Sequence, residues 1–359
     1  MEELFKYNHD DYPNFTYSSE RLQGPLLEAS RLHGEIIGRF RDAGIDVRNE
    51  AVVGVMTDEI VYSARIEGDS LDREDVRDSI RKSMGLGSAK SVHASDGYVE
   101  ILMDSVSDPG APLSNSTLFR WHRTLFANGN LDDPGMPVGA FTDERMVIRA
   151  SGGKVVYMGP PVDRIRSEMN GFMMWFNSAS MPAFIKAGIA HLWFEIIHPF
   201  GDGNGRIGRA IVDRTLAREF ESSLRTVGLS HYIAKHKREY YAQLEFHSKG
   251  HMDVTDFLVW FIESISGAIR LSNDRLDSLL KRDKFWARYK AYGFNGRQRK
   301  VIDKLLGDDF DAVITTERWC GMTKTSKDSA RRDIMALVEL GALVEVTDFK
   351  RNKKFRLGV

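Results

Sequence analysis

The run His198–Arg209 combines a base, a carboxylate, alternating glycines and two arginines within twelve residues. Glycines at positions 201, 203 and 205 let the backbone turn tightly and point its N–H groups inward, and the N-terminus of a following helix completes an anion cradle. Arg206 and Arg209 share one face of that helix, from which both can reach the oxygens of a polyphosphate. Asp202 can hold a hard cation, and His198 can accept a proton from an incoming hydroxyl. Such a run can bind a phosphate and a metal and also move a proton.

A glycine-rich turn is often only a loop that enters a helix, and a lone histidine is more often structural than catalytic. Here every position fits one reaction, and the string reads H-x-F-x-D-G-N-G-R-x-x-R without a mismatch. It resembles the active-site motif of the Fic family, which implies an all-helical enzyme that transfers AMP from ATP to a protein hydroxyl. The resemblance assigns His198 as the general base, Asp202 as the Mg²⁺ ligand, Gly203, Asn204 and Gly205 as the phosphate nest, Arg206 as a β/γ-phosphate clamp, Arg209 as a γ-phosphate partner and Phe200 as a buried anchor.

A second group of residues lies at the end of a helix predicted over about 49–67. Ser63 and Glu67 are four residues apart and therefore point the same way. A solvated glutamate before the capping Gly68 is the simpler interpretation, but the helix dipole disfavours a carboxylate there and favours a nearby cation. The string resembles the inhibitory motif [S/T]-x-x-x-E-[G/N] of the Fic family. This implies that Glu67 pairs with Arg209 in the resting enzyme, so that ATP binds in a pose unsuited to transfer.

Residues 146–161 interrupt the helical pattern with two β-prone runs, 146–148 and 154–158, joined by Ser-Gly-Gly. This pattern predicts a β-hairpin. A hairpin on a helical body is either decoration or a docking edge. The resemblance implies a flap to which a target segment adds as a strand, and the candidate edge comprises Val155, Val156, Tyr157 and Met158.

Two further aromatic features have alternative interpretations. Tyr240 and Tyr241 lie in a helical segment predicted from His231 to His247. Aromatic pairs are usually core residues, but the resemblance implies that this region lines an adenosine pocket, which makes both tyrosines candidate adenine contacts. His122 is predicted to be a packed or rim histidine rather than a ligand.

The remaining pattern predicts the elements that position these residues. Apolar spacings of three and four residues predict helices at about 19–43, 49–67, 72–84, 95–106, 114–126, 162–177, 183–197, 205–220 and 255–280. The segment 183–197 is apolar nearly all round, as is typical of a central helix, and it delivers His198 at the end of a rigid rod. Residues 1–18 are predicted to be an irregular arm that packs aromatic side chains onto the body.

Residues 281–359 hold 19 lysines and arginines against 11 acidic residues, whereas the whole chain has a formal net charge of −1. Helices predicted at 295–306, 315–321 and 326–340, then strands at 343–346 and 355–357, give the outline of a winged helix. The candidate DNA contacts are Lys327, Arg331 and Arg332 on a recognition helix and Lys350, Arg351, Lys353 and Lys354 on the wing. The alternatives are a protein contact, a homodimer interface, or a basic solvated surface alone.

Composition narrows the class of protein. With 359 residues, 42% of them hydrophobic and 28% charged, the chain is predicted to be a soluble globular protein with two or three cores. No run approaches 18 apolar residues and the first residues do not resemble a signal peptide, so we expect a cytoplasmic protein without a membrane partner. The single cysteine, Cys320, excludes an intramolecular disulfide and a cysteine metal cluster.

These observations predict an all-α Fic fold with a β-hairpin flap and a small C-terminal winged helix-turn-helix domain. The predicted domains are an N-terminal helical region with the inhibitory motif at 1–110, a catalytic core at 111–280 and a winged-helix-like domain at 281–359. The predicted activity is Mg²⁺- and ATP-dependent transfer of AMP to a Ser, Thr or Tyr hydroxyl of a protein, self-modification included, with inhibition by Glu67. The alternatives are transfer of another phosphate-bearing group, removal of AMP from a modified protein, and a nucleotide-sensing DNA-binding regulator.

Overall fold

The computed structural model of the chain is mainly helical, as predicted, and describes residues 5–87, 95–127, 135–149, 152–153, 155–220, 227–307, 313–346 and 353–358. The helices are α1 Ser19–Asp42, α2 Ile45–Glu67, α3 Arg73–Ser83, α4 Asp96–Ser107, α5 Asn115–Leu125, α6 Val162–Ser178, α7 Ala183–Ile197, α8 Asn204–Glu219, α9 Leu229–Lys235, α10 Lys237–His247, α11 Thr255–Arg288, α12 Gly296–Leu305, α13 Thr316–Thr323 and α14 Lys327–Glu339. The strands are β1 Val147–Arg149, β2 Val155–Met158, β3 Ile314–Thr315, β4 Leu343–Glu345 and β5 Lys354–Leu357.

The chain forms two compact units. The first comprises the residues up to Arg39 together with Val52–Ser272, and the second comprises Phe40–Ala51 together with Asn273–Val359. Helix α11 runs through the division and continues to Arg288 rather than ending near 280. The boundary predicted after residue 280 therefore lies within a helix, and the one predicted after residue 110 lies inside the first unit.

Helix α7 is the centre of the first unit. Every residue from Phe184 to Ile197 is buried, as expected for a helix that is apolar nearly all round. Side chains of α4, α5, α6 and α8 complete its core, and the largest of these residues are Trp121, Phe172, Phe176, Trp193, Phe194 and Phe200. Burial of each large apolar side chain stabilises the fold by roughly 1.5–3 kcal/mol. Helix α7 is thus a rigid support for the residue that follows it, His198.

The N-terminal arm contributes aromatic packing, as predicted. After a short 3-10 helix at Lys6–Asn8, Tyr12 and Phe15 contact the indole of Trp193 edge-on. The Trp193 indole N–H also donates to the Tyr12 hydroxyl at 2.8 Å. The arm thereby covers one side of α7.

Strands β1 and β2 form the predicted antiparallel hairpin. Val147 pairs with Met158 and Ile148 with Tyr157, and the register shifts between Ile148 and Arg149. The hydroxyl of Tyr157 donates to the carbonyl of Ile196 at 2.8 Å, which attaches β2 to the last turn of α7. The hairpin therefore lies beside His198.

In its described residues, the second unit contains the complete helices α12, α13 and α14, parts of α1, α2 and α11, and an antiparallel sheet in the order β3–β5–β4. Its core is built around the buried side chains Phe285, Val301, Ile302, Trp319, Ile334, Leu337 and Phe355. A capping box begins α12: Asn295 accepts from the Gln298 N–H, and the Gln298 side chain accepts from the Asn295 N–H. The element order follows the predicted outline with β3 added, and the winged-helix assignment stays a prediction. Lys350 and Arg351 lie outside the described residues.

Within the described ranges, no helix combines the length and the apolar character that crossing a bilayer requires.

Candidate active site

His198 follows the last residue of α7 and caps that helix with a left-handed backbone, φ 50° and ψ 61°. Residues other than glycine rarely adopt this conformation. A hydrogen bond of 2.9 Å from the His198 N–H to the Phe194 carbonyl stabilises it, and Phe200 is fully buried nearby, as predicted. The imidazole is therefore held at the end of a rigid helix.

The loop after His198 is closed by the side chain of Asn204. The Phe200 N–H donates to Asn204 Oδ1 at 3.0 Å, and Asn204 Nδ2 donates to the Phe200 carbonyl at 2.7 Å. Gly203 has φ 82°, and a Cβ at this position would lie 2.8 Å from Leu125 Cδ2, so conformation and space both require glycine. The Asn204 side chain thus shapes the predicted phosphate nest and leaves the backbone N–H groups of the nest to bind the phosphate.

The Glu67 carboxylate lies against the first turn of α8. That helix begins at Asn204 with no capping side chain and no acidic residue of its own in the first turn. The first N–H groups of a helix have no intrahelical partner and carry a partial positive charge. A Cβ added to Gly205 would collide with Glu67 Oε1. A carboxylate therefore lies where the sequence predicts a phosphate.

Arg209 is 2% exposed and is held by both residues of the predicted inhibitory motif. Its Nε donates to Ser63 Oγ at 3.0 Å, and its Nη2 donates to the Ser63 carbonyl at 3.1 Å and to Glu67 Oε1 at 2.8 Å. Burial disfavours the charged guanidinium, but Glu67 more than offsets this, and the pKa of Arg209 lies above its usual range. The Glu67–Arg209 pair implied by the resemblance is present in this structure.

Arg206 is held by a second group of polar residues. Its Nη1 donates to Asp69 Oδ2 and to the Tyr98 hydroxyl, both at 3.0 Å, and its Nη2 donates to Asp202 Oδ1 at 2.9 Å. Burial raises the pKa of Tyr98 to about 12, so its neutral hydroxyl also donates to Asp69, at 2.7 Å. The predicted phosphate clamp and the predicted metal ligand thus neutralise each other here.

His122 supports the loop from α5. It is fully buried, it stacks on the Phe200 ring at 4.3 Å, and its Nε2 lies 3.1 Å from the Asp202 carbonyl. The Gly139 N–H donates to Nδ1 at 2.9 Å, which places the ring proton on Nε2, facing that carbonyl. Burial lowers the pKa of His122 to about 4, so the ring is neutral. His122 is packed, as predicted, and it also fixes the backbone of the candidate metal ligand.

Glu195 and His191 form a buried polar group behind His198. Glu195 Oε2 lies 3.5 Å from His198 Nδ1, and the Tyr240 hydroxyl lies 2.9 Å from His191 Nε2. Burial lowers the pKa of His191 and raises the pKa of Tyr240 well above its usual value. The His191 imidazole and the Tyr240 hydroxyl are therefore neutral.

A cavity of about 530 Å³ brings most of the predicted residues together. It is lined by Glu67, His198, Asp202, Gly203, Asn204, Gly205, Tyr240 and Tyr241, by Val156 and Tyr157 of the hairpin, and by Glu195, Leu244, Glu245 and Ser248 among others. Ser63, Arg206, Arg209, Val155 and Met158 are not in its lining. Tyr240 is 1% exposed and Tyr241 is 41% exposed, so Tyr241 is the more accessible of the two candidate adenine contacts.

Asp202 is the carboxylate of the loop that a cation would meet. Its side chain is 45% exposed and lines the cavity. Among the described residues no group of three or more His, Cys, Asp or Glu side chains could hold a metal ion. Mg²⁺ commonly binds one or two carboxylates together with substrate phosphates and water. The residues therefore fit a metal that arrives with a polyphosphate.

Four polar residues that contact the site were not predicted: Asp69, Tyr98, His191 and Glu195. Glu195 offered a signal, because it is the acidic residue of a mainly apolar helix and lies three positions before His198. Asp69 follows the inhibitory motif directly. Tyr98 and His191 carry no local signal, since only the fold brings them to Arg206 and Tyr240.

Two family models match the chain. Residues 112–216 match the Fic/DOC family, and residues 5–86 match a domain of unknown function, DUF4172. The curated uridine 5′-monophosphate transferase of Xanthomonas campestris is 26% identical over 126 residues, which is 32% of this chain and 23% of that protein. The match thus spans less than a quarter of this relative.

Solved structures share the fold. A Fic family protein from Desulfovibrio desulfuricans superposes with a TM-score of 0.53 at 18% identity, over 96% of this chain and 98% of that one. A Fic domain containing signaling protein from Bacteroides thetaiotaomicron gives 0.53 at 17% identity, over 72% and 97%. Fic-1 from C. elegans gives 0.52 at 18% identity, over 73% of each chain. At these identities the likeness shows the fold alone.

Proposed function

Since residues 112–216 form a Fic/DOC family domain in a mainly helical chain, we propose that the chain transfers the AMP moiety of ATP to a Ser, Thr or Tyr hydroxyl of a protein. One observation carries the proposal: a base, a carboxylate and the uncapped start of a helix share one cavity, through His198, Asp202 and Gly203–Gly205. Nucleotidyl transfer needs these three groups together. The base prepares the nucleophile, and the other two neutralise phosphate charge.

His198 accepts the proton of the target hydroxyl. The hydroxyl oxygen then attacks the α-phosphorus, a new P–O bond forms, and the bond between the α-phosphorus and the bridging oxygen breaks, so that pyrophosphate leaves. The N–H groups at the start of α8 stabilise the charge on the phosphate oxygens. Arg206 and Arg209 bind the outgoing phosphates.

Asp202 is the proposed Mg²⁺ ligand, with substrate phosphates and water as its partners. When bound, Mg²⁺ neutralises charge that develops on the phosphates. Asp202 also accepts from Arg206 at 2.9 Å, so binding of the cation competes with this ion pair. Arg206 then becomes available to the substrate phosphates.

Glu67 is the proposed inhibitor of transfer. Its carboxylate engages Arg209 at 2.8 Å and crowds Gly205, so one side chain occupies both a phosphate-binding arginine and the start of α8. Ser63 orients the same guanidinium. In this resting arrangement the γ-phosphate has no arginine partner at Arg209, and the α-phosphorus is not presented to the target hydroxyl.

The hairpin is the proposed docking site of the target. Tyr157 lies with its ring centroid 5.3 Å from that of His198, and Val156 and Tyr157 line the cavity. In the described part of the chain the hairpin has two strands, so each has an outer edge to which a peptide strand can add. A segment that pairs along Val155–Met158 would bring its hydroxyl close to the imidazole.

UMP transfer is the second candidate, because the curated relative is named as a uridine 5′-monophosphate transferase. The test uses the Glu67→Gly variant with ATP, UTP, GTP and CTP, each labelled at the α-phosphate, and with ATP labelled at the γ-phosphate. We expect protein to acquire label from α-labelled ATP and none from γ-labelled ATP. Label only from UTP would replace AMP by UMP in the proposal. Label from the γ-phosphate would overturn nucleotidyl transfer.

DNA binding by the second unit is a candidate additional function. Helix α14 exposes Lys327 and Arg331, whose side chains are 66% and 68% exposed. Arg332 is also exposed on this helix, and Lys353 lies in the predicted wing. A helix with clustered basic residues suits the phosphates of a duplex.

Charge reversal at Lys327, Arg331 and Arg332 together tests the DNA candidate. We expect weaker retardation of duplex DNA and a smaller dependence of binding on salt, with nucleotide transfer unchanged. If the variant alters the oligomeric state and leaves DNA binding as in the wild type, the surface is a protein contact instead.

A further inference from the structure

Glu195 is a buried carboxylate in an unfavourable place. It lies in the last turn of α7, where the helix dipole disfavours negative charge, and it is 9% exposed. Burial of an unpaired carboxylate costs several kcal/mol. The surroundings compensate: burial by itself raises the pKa of Glu195, but the hydrogen bond from His198 and the charge of Arg209 outweigh it and bring this pKa below its usual value. Glu195 is therefore ionised.

The carboxylate faces one particular nitrogen of His198. Glu195 Oε2 lies 3.5 Å from Nδ1, at the long end of hydrogen bonding, as catalytic contacts in resting enzymes often are. The left-handed backbone of His198 and the Tyr157 ring, 5.3 Å away between centroids, restrict where the imidazole can go. With Nδ1 directed to the carboxylate, Nε2 is the nitrogen available to a substrate hydroxyl.

Helix α8 leaves room for this carboxylate at Gly208. A Cβ added there would lie 2.8 Å from Glu195 Oε1 and 3.2 Å from His191 Nδ1. A glycine inside a helix lowers stability by about 1 kcal/mol relative to alanine, so Gly208 in the interior of α8 needs an explanation from packing. The explanation is the space it leaves, because the methyl group of alanine would displace the Glu195 carboxylate.

The second carboxylate oxygen of Glu195 lies against the same glycine as a second histidine. Glu195 Oε1 and His191 Nδ1 are both buried without a hydrogen-bond partner, and both lie against Gly208. Burial lowers the pKa of His191, so its ring is neutral, and its Nε2 lies 2.9 Å from the Tyr240 hydroxyl. One carboxylate oxygen of Glu195 thus lies near His198 Nδ1, and the other lies against Gly208, as does His191 Nδ1.

We propose that Glu195 is a positioning residue, which holds the proton of His198 on Nδ1 and leaves Nε2 unprotonated as the base. The assignment rests on the proposed role of His198 in nucleotidyl transfer. Glu195 touches neither nucleotide nor target in this step. It fixes the tautomer and the orientation of the imidazole, and its charge stabilises the imidazolium that forms when Nε2 takes the target proton.

The tautomer can be measured without any transfer reaction. Protein labelled with ¹⁵N in the imidazole rings is compared by NMR, at a pH where the ring is neutral, and His198→Ala identifies the His198 signals. We expect a protonated Nδ1 and an unprotonated Nε2 in the wild type. Glu195→Gln should lose this preference, and Gly208→Ala should shift the same signals because its methyl group displaces the carboxylate.

Matched controls are Glu239→Gln, an exposed glutamate of α10, and Gly171→Ala, an exposed α6 glycine whose added Cβ would meet nothing within 4 Å. Both should leave the His198 signals as in the wild type. A proton on Nε2 in the wild type, or an unchanged tautomer in folded Glu195→Gln, would overturn the proposal. Because no nucleotide takes part, absence of AMP transfer would count against the proposed function and not against this result.

Kinetics give the second measurement. In the Glu67→Gly background, Glu195→Gln should lower kcat by about 10- to 10²-fold, less than loss of the base itself, with KM for ATP unchanged. Glu195→Asp, which keeps the charge on a shorter side chain, should recover part of kcat. Equal losses in Glu195→Gln and Glu195→Asp would contradict a role for the charge, and a change confined to KM would reassign Glu195 to nucleotide binding.

Discussion

Replacing Glu67 by glycine should raise nucleotide transfer, because this carboxylate contacts both of the elements that we propose bind the phosphates of ATP. It accepts from Arg209 Nη2 at 2.8 Å, and it lies against Gly205 in the first turn of α8. The variant removes both contacts and adds no atoms to the cavity. We expect the freed guanidinium to bind the γ-phosphate and to hold ATP in the productive pose.

The size of the effect follows from what remains on Arg209. Two of its three hydrogen bonds go to Ser63 and persist in the variant, so only the charge-assisted bond to Glu67 is lost. Glu67 is 25% exposed, so breaking the Glu67–Arg209 pair should cost less than the roughly 3–5 kcal/mol that breaking a fully buried ion pair costs. A bond of about 1–3 kcal/mol corresponds to a gain of roughly 5- to 150-fold in the productive pose.

Stability should change in the opposite direction. Arg209 is 2% exposed, and without Glu67 its buried charge loses a counter-ion. The unliganded variant should therefore unfold at a lower temperature than the wild type, by about 2–4 °C for each kcal/mol lost. Addition of ATP with Mg²⁺ should raise the midpoint temperature of unfolding more in the variant than in the wild type, since the γ-phosphate replaces the carboxylate beside Arg209.

The assay is incorporation of α-labelled AMP into protein at equal enzyme concentration and subsaturating ATP. Glu67→Gly/Arg209→Ala should be inactive, because the gain depends on the freed arginine. Glu74→Gly, a change of an exposed glutamate in the first turn of α3, is the matched control and should behave as the wild type. An unchanged or lower rate for folded Glu67→Gly would refute the inhibitory role. Activity of the double variant equal to that of Glu67→Gly would refute the role of Arg209.

Four further predictions concern the surrounding residues. His198→Ala should lower transfer by about 10²–10⁴-fold and leave ATP affinity by calorimetry nearly unchanged; a matching loss of affinity would make His198 a nucleotide contact instead. Asp202→Ala should abolish Mg²⁺-dependent transfer, and activity that still responds to Mg²⁺ would show that Asp202 is structural. Asp69→Asn should raise transfer by less than about 5-fold, because Asp69 is 47% exposed and an exposed ion pair such as Asp69–Arg206 contributes at most about 1 kcal/mol. A gain as large as that of Glu67→Gly would make Asp69 the main inhibitor. The thermal midpoint of unfolding should fall as the pH is lowered from about 6.5 towards 4. Burial lowers the pKa of His122 and His247 to about 4 in the folded state, whereas the same side chains in the unfolded chain take up protons from about pH 6.5. A midpoint that stays constant over this range would contradict the prediction.

Local patterns predicted most of the helices and the hairpin. Helix α7 could be predicted because its run of apolar residues is buried on all sides, and α5 and α14 could be predicted from the spacing of their apolar residues. Strand β3 was missed, because Ile314–Thr315 is too short to show a period and exists only through its pairing with β5. The predicted end of α11 near 280 was too early, since its last turns pack in the second unit.

The site was predictable where its residues are consecutive. The loop from His198 to Arg209 and the Ser63–Glu67 spacing could be interpreted locally, and the structure brings Arg209 onto both motif residues. The supporting contacts join distant parts of the chain: Arg206 meets Tyr98 across 108 positions, and His122 meets the Asp202 carbonyl across 80. Such pairs have no signature in a single sequence, because packing of the helices creates them.

Locating the transferred group on the modified protein tests the proposed AMP transfer directly. Glu67→Gly is incubated with ATP, Mg²⁺ and a cell lysate, and tandem mass spectrometry identifies the modified side chains, with Glu67→Gly/His198→Ala treated in parallel. We expect AMP on Ser, Thr or Tyr oxygens in the first sample and none in the second. Modification that persists without His198, or ATP bound with no protein modified at all, would contradict it.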